Sequence, residues 1–270
     1  RTPSRMIGSA QSPIGVFDSG VGGLSVLQAI RQRLPAEDLL YVADAAHVPY
    51  GNKSKEFIQK RCLLLGDFLC RQGAKAVVAA CNTATAAGIE RMRSCLQIPI
   101  LGMEPGIKPA VAVSKNKSIG ILATQGTLQS DRYHDLMQRC RQDSQIYTQT
   151  CSGLVELIEQ GGFQEPETLE LLKSYIQPLL QQGADTLVLG CTHYPLLIEQ
   201  IQAQAGKEVT IIDTGHPLAR HLHNRLSRAN ILAQRKTQGR LSIYSTGQTQ
   251  GLQAIADRLG LECWVRDIEL

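Results

Sequence analysis

Aromatic side chains are scarce in this sequence of 270 residues: seven Tyr, four Phe and a single Trp, Trp264. A surface that stacks bases or sugars needs more of them. Long apolar runs are missing as well. None approaches the roughly 18 residues of a membrane-spanning helix, so no membrane partner is expected. Acidic residues are absent between Asp213 and Asp257, a stretch that holds Arg220, Arg225, Arg228, Arg235, Lys236 and Arg240. The overall excess of +4 is too small to imply nucleic acid. That stretch therefore reads as a solvated helix face and loop. There is no Cys-x-x-Cys, no Gly-x-Gly-x-x-Gly and no P-loop, which removes the commonest dithiol and nucleotide signatures.

What is present suits a packed enzyme. Apolar residues make up 43% and charged residues 19%, enough for a core and too apolar for disorder. The length suits about two domains at roughly 150 residues each. Arg1 to Ser12 is polar with no apolar stretch, and is expected to be a flexible tail rather than a secretory signal. The eight cysteines are then expected to be reduced thiols in the cytoplasm, most of them buried fillers.

Short apolar runs alternate with amphipathic ones, which predicts an α/β fold with parallel sheets covered by helices. Strands are expected at 14–17, 39–42, 76–80, 98–101, 119–122, 186–189 and 209–212. Helices are expected at 23–34, 55–70, 81–96, 130–141, 154–160, 166–182 and from Pro195. Three segments recur in order. Ile14–Phe17 matches Ile119–Leu122 at an offset of 105, Gly73–Cys81 matches Gly183–Cys191 at 110, and Ile98–Leu101 matches Val209–Ile212 at 111. A nearly constant offset implies two similar α/β units related by a pseudo-two-fold. The last 57 residues are too few for a third unit and should pack back on the first. The expected domains are 13–105 plus 214–270, and 106–213.

The repeat singles out two thiols. Cys81-Asn82-Thr83 and Cys191-Thr192-His193-Tyr194-Pro195 each follow a buried strand with helix-start residues. The carboxyl ends of strands line the ligand crevice of such sheets. A thiol there is expected to face a helix N-terminus, which lowers its pKa. Two thiols across one cleft suit a reaction with two faces, in which one removes a proton and the other supplies one. Inversion of a carbon centre follows. Zinc would need more ligands than Cys191 and His193, and no lysine sits where a pyridoxal Schiff base would form. No metal and no cofactor are expected.

Polar loops follow the other strands. Asp18-Ser19-Gly20-Val21-Gly22-Gly23 can present backbone N–H groups to an anion, and Thr124-Gln125-Gly126-Thr127 is its counterpart in the second unit. Hydroxyls and amides without an arginine clamp fit a small zwitterionic acid. A non-catalytic small-acid binding protein could use the same cleft, but it has no need of matched thiols. An interaction protein using the basic stretch would bind nucleic acid in a salt-sensitive way.

The chain resembles the glutamate racemases of the cofactor-independent aspartate/glutamate racemase superfamily from Pro13 to its C-terminus. The resemblance rests on Gly15–Gly23, Val48–Gly51, Ala80–Ala84, Ala123–Thr127 and Leu189–Leu196, in that order. It implies interconversion of L-glutamate and D-glutamate, with D-glutamate supplied to peptidoglycan. It implies Cys81 and Cys191 as the two acid/bases, Cys81 taking the proton of the D isomer and Cys191 that of the L isomer. Asp18, Ser19, Tyr50, Gly51, Asn82, Thr83, Thr192 and His193 would hold substrate, joined by Thr124 and Thr127. Asp18 and His193 would each assist the thiol of their own half, with Glu159 a secondary candidate. Ala45 and Thr85 stand where the family often has Thr and Ser. A homodimer is expected. Aspartate racemase is the alternative within the class.

Overall fold

The computed structural model describes residues 9–141 and 144–270; most of the expected tail lies outside them. Its elements, in chain order, begin with β1 (Ile14–Asp18), α1 (Gly23–Arg33), β2 (Leu39–Ala43), α2 (Lys55–Arg71), β3 (Ala76–Ala79), α3 (Asn82–Cys95), β4 (Ile100–Gly102) and α4 (Ile107–Val113). The second unit holds β5 (Ser118–Ala123), α5 (Gln125–Leu128), α6 (Asp131–Cys140), β6 (Gln145–Thr150), α7 (Leu154–Glu159), α8 (Pro166–Gln181), β7 (Thr186–Gly190), α9 (Ile198–Ala205) and β8 (Thr210–Ile212). The chain ends with α10 (Gly215–Arg228), β9 (Leu241–Ser245), α11 (Gln250–Arg258) and β10 (Val265–Asp267).

Two parallel sheets form. The first runs β10-β9-β2-β1-β3-β4 and the second β6-β5-β7-β8. Four adjacent strands of the first, β2-β1-β3-β4, repeat the order of the second strand for strand. The C-terminal segment returns as expected, since β9 pairs with β2 from Leu39↔Leu241 to Ala43↔Ser245. Strands β1, β3, β5 and β7 are buried along their whole length, as parallel strands with helices on both faces must be.

The repeat reaches into backbone detail. Helices α2 and α8 both end at a left-handed glycine, Gly73 at φ +82° and Gly183 at φ +87°. Each glycine N–H returns to a carbonyl in its helix, Cys70 at 2.9 Å and Leu180 at 2.9 Å. A side chain at this φ is strained, which fixes glycine before strands β3 and β7. Leu69 and Leu179, four residues before those glycines, sit where a Cβ on Gly15 or Gly120 would be, at 3.0 and 3.1 Å.

Some expectations need correction. Strands β6 and β10 and helix α4 were not anticipated. Strand β6 has only Ile146 buried among its six residues, so it carries no apolar run, and β10 is a short exposed edge. Strand β4 starts at Ile100 rather than Ile98. The helix expected from Pro195 is a 3₁₀ turn over Tyr194–Leu197 before α9. The basic stretch needs no correction as a solvated helix face and loop: Arg220, Arg225 and Arg228 lie on the exposed face of α10, while Arg235 and Arg240 pair with Asp38.

Candidate active site

The carboxyl ends of β1, β3 and β7 bring the two matched thiols into one buried region. Cys81 is 5% exposed and Cys191 7% exposed. Asp18, fully buried at the end of β1, stands between the halves. Its Oδ2 accepts from Gly23 N–H at 2.8 Å, and Thr192 Oγ1 donates to the carboxylate at 3.3 Å to Oδ1. Ser19 Oγ lies 3.8 Å from Cys81 Sγ.

Cys81 caps α3, its sulfur accepting the Ala84 N–H at 3.4 Å. The expected fall in its pKa does not occur. Burial pushes the thiol well above its ordinary value, and the Asp18 carboxylate adds to the rise; the Ala84 N–H opposes it without winning. A helix terminus contributes about 0.3–1 kcal/mol, whereas full desolvation of a charge is worth several times that. Asp18 is raised too, first by its own burial, against the lowering influence of His193 and Gly23 N–H.

The second thiol is supported differently. Cys191 does not open an α-helix; its support is His193, whose Nδ1 lies 3.6 Å from Cys191 Sγ. The other ring nitrogen, Nε2, meets Glu159 Oε1 at 2.5 Å. Burial alone would lower the His193 pKa, but the partners Cys191 and Glu159 outweigh it and raise it well above the ordinary value. With both nitrogens partnered, the imidazolium is the favoured form.

The glycine-rich turn is closed rather than open to an external anion. Gly20 and Gly23 N–H groups point at Asp18, and Val21 N–H donates to Glu159 Oε1 at 2.8 Å. Two protein carboxylates occupy the nest that the sequence seemed to leave free. Glu159, the secondary candidate, lies on α7 (Leu154–Glu159), and the fold makes it the link between the turn and His193.

The remaining site residues gather around these groups. Thr83 Oγ1 lies 2.9 Å from Thr124 Oγ1 and 3.2 Å from Thr127 Oγ1, and Thr124 and Thr127 are 3.1 Å apart. This triangle of hydroxyls joins α3 of the first unit to the capped start of α5 in the second. Asn82 is buried with Oδ1 unpartnered, an acceptor left for a ligand. Gly51 faces Thr124, whose Cβ is 2.9 Å from where a Gly51 Cβ would be. Tyr50 is buried, and its hydroxyl donates to Asp44 at 2.5 Å. Asp44, which the sequence reading passed over, also accepts from Arg61 Nε at 2.9 Å and Thr246 Oγ1 at 2.9 Å, so it anchors the loop that carries Tyr50 and Gly51. An aspartate followed by Pro49-Tyr50-Gly51 gave no signal of that role, because Arg61 and Thr246 come from distant segments.

Two cavities open where the first unit meets α7. One of about 500 Å³ has Val21, Glu156, Glu159 and Gly247 in its wall, and one of about 130 Å³ has Gly51, Thr124, Cys151 and Glu156. Both share Pro49, Val155 and Glu156, where the first unit meets α7. Neither thiol lines either cavity; both are buried.

Two buried thiols at equivalent strand ends, one beside a carboxylate and the other beside an imidazole, make up the candidate site. The chain belongs to the Asp/Glu/hydantoin racemase family, which it matches over residues 14–222. It is 52% identical to a glutamate racemase of Methylococcus capsulatus over 240 residues, 89% of each chain. Its structure is similar to that of glutamate racemase isoform RacE1 from Bacillus anthracis, with a TM-score of 0.88, 35% identity and coverage of 97% and 98% of the two chains. It is also similar to Escherichia coli glutamate racemase in complex with L-glutamate and the activator UDP-MurNAc-Ala, with a TM-score of 0.81, 32% identity and coverage of 96% and 98%.

Proposed function

We propose that this protein is a glutamate racemase that interconverts L-glutamate and D-glutamate by proton transfer between Cys81 and Cys191. The observation that carries the reading is the pair of buried thiols at matched strand ends with Asp18 and His193 beside them. The relatives' substrate supports glutamate over aspartate.

From L-glutamate, Cys191 acts as the base. It takes the α-proton and the Cα–H electron pair stays on carbon. The resulting carbanion is planar, and its charge spreads into the α-carboxylate. The opposite face then receives the proton of Cys81, leaving Cys81 as thiolate and Cys191 as thiol. From D-glutamate the steps run in reverse. Burial suits this cycle, since a thiol held protonated at neutral pH is a ready proton donor. The His193 imidazolium beside Cys191 stabilises negative charge on that sulfur.

Asn82, Thr83, Thr124, Thr127 and Thr192 would hold the amino and carboxylate groups, with Ser19 and Gly51. Because the Tyr50 hydroxyl is committed to Asp44, Tyr50 would serve through its backbone. The reading divides the chain into 13–105 plus 214–270 and 106–213, with substrate between the two. It places the protein in the cytoplasm, which the free cysteines suit, as a source of D-glutamate for peptidoglycan. It holds the assembly to be a homodimer, which light scattering tests. The decisive assay follows the circular dichroism of L-glutamate with purified protein and no added cofactor. Decay of the signal to zero supports the reading, and a constant signal ends it.

A further inference from the structure

We propose that Tyr41 is a positioning residue for the Cys191 half of the site, acting through a continuous line of hydrogen bonds that crosses from one sheet to the other. The proposal rests on the racemase reading. Tyr41 belongs to β2, is fully buried, and lies outside every motif the sequence offered. Its hydroxyl donates to Gly20 O at 2.7 Å. Among the described residues no other hydrogen bond reaches that carbonyl. The same peptide unit donates on its other side, from Val21 N–H to Glu159 Oε1 at 2.8 Å. That carboxylate oxygen meets His193 Nε2 at 2.5 Å, and His193 Nδ1 faces Cys191 Sγ at 3.6 Å.

Tyr41 and His193 in this line are buried, and the Glu159 side chain between them is 16% exposed. A Cβ on Gly20 would overlap the Glu159 carboxylate, so Glu159 rests directly on the peptide that Tyr41 grips. Burial first, then the charges of Asp18 and Glu159, hold the Tyr41 phenol well above its ordinary pKa, and it remains a donor throughout the working range. A peptide that accepts at its carbonyl becomes a stronger donor at its N–H. Tyr41 therefore strengthens the hold of Val21 on Glu159 and fixes the oxygen that orients the imidazole. Orienting groups behind a catalytic base set its tautomer and aim.

Cys81 receives no such line. Its sulfur is served by Ala84 N–H and Ser19. Loss of the Tyr41 hydroxyl should therefore act mainly on the Cys191 half, because the line from Gly20 O leads to His193, while Asp18 on the Cys81 side keeps its shorter bond from Gly23 N–H at 2.8 Å. For enantiomers the equilibrium constant is one, so kcat/KM falls equally in both directions and carries no record of which half was damaged. The primary isotope effects do carry it. A weaker Cys191 makes proton removal from L-glutamate more rate-limiting and proton removal from D-glutamate less so.

The test is steady-state kinetics of Tyr41→Phe with α-protiated and α-deuterated L- and D-glutamate. We expect kcat to fall about three- to tenfold, the size of one net hydrogen bond, with KM within about twofold. The isotope effect should rise for L-glutamate and fall for D-glutamate. A second variant, Glu159→Gln, breaks the line one link further on. In a double-mutant cycle Tyr41→Phe should cost less kcat in the Glu159→Gln background than alone. A lowered melting temperature with unchanged or equally changed isotope effects would make Tyr41 a packing residue and overturn the proposal, as would full additivity. Absence of racemisation in the unaltered protein would instead overturn the racemase reading.

Discussion

Cys81 and Cys191 end corresponding strands, β3 and β7, yet their surroundings diverge within two residues. After Cys81 the chain enters α3 at once, and the sulfur caps that helix. After Cys191 it turns through Thr192 and His193 into a 3₁₀ segment, which swings an imidazole toward the sulfur. One thiol is thus buried beside a carboxylate and kept protonated, and the other sits beside a cation. A repeated scaffold supplies the symmetric part, two strand ends that bring a thiol each into one buried region. The asymmetric part comes from single residues placed just after each strand. A racemase needs that division, because one group must hold a proton while the other accepts one.

The comparison breaks most sharply at the sulfurs. Cys81→Ser or Cys191→Ser should lower racemisation in both directions by about 10²–10⁴-fold, since each thiol is needed in every turnover. Activity within about tenfold of the unaltered protein would remove the two-thiol mechanism. The same pair sets the isotope pattern in D₂O. Starting from L-glutamate, early D-glutamate should be fully α-deuterated while residual L-glutamate stays protiated, because Cys81 exchanges with solvent before substrate binds. Early product that retains the substrate proton would point to a single base visiting both faces.

A smaller effect distinguishes the supporting groups. His193→Asn and Asp18→Asn should each lower kcat by about 10- to 100-fold with little change in KM. Their isotope effects should move oppositely: His193→Asn raises the effect for L-glutamate, Asp18→Asn that for D-glutamate. Equal shifts in both variants would mean that Asp18, which also accepts from Thr192, serves the two halves alike. The hydroxyl triangle offers the control, since it belongs to both units. Thr83→Val removes one corner and should raise KM about two- to tenfold for both enantiomers, with no isotope asymmetry.

The sequence made much of this legible. The alternation of apolar runs with amphipathic segments placed both sheets, and the matched segments placed both thiols, because a buried strand end and a left-handed glycine leave strong local signatures. Strand β6 was missed since five of its six residues are not fully buried, so its pairing with β5, from Ser118↔Gln145 to Ala123↔Thr150, is written in its neighbour rather than itself. The direction of the Cys81 pKa was also misread. A helix start is visible in sequence, but the depth of burial that overrides it depends on how α2, α3 and the two units close together. Glu159, Asp44 and Tyr41 share that limitation: each acts through a partner far away along the chain, and no periodicity records it.

The smallest expected effect concerns stability, and it tests whether the charge states assigned to the two halves hold together. His193 has a folded pKa well above its unfolded value of 6.5. Its contribution is complete below about pH 6.5 and is lost as pH rises through the folded value. Buried thiols act with the same sign higher up. Cys62 is moved by burial, with a lesser push from Asp44, from 9.0 to about 12, and Cys81 is raised for the same first cause. In the unfolded chain these thiols ionise from about pH 9, while in the folded chain they stay protonated, so alkali favours unfolding. Asp44 runs the other way. Despite burial, its bonds from Arg61 and Tyr50 lower its pKa below 3.8, so its contribution holds above that value and is lost as pH falls through the folded one. Urea unfolding between pH 3 and 11 should therefore show stability falling on both sides, with the alkaline decline in two stages. His193→Asn should flatten the first stage, near neutrality, and leave the second, above pH 9, in place. Stability that rises from pH 7 to 10 would mean that His193 is neutral in the folded protein, and the contrast between the two thiols would lose its electrostatic basis.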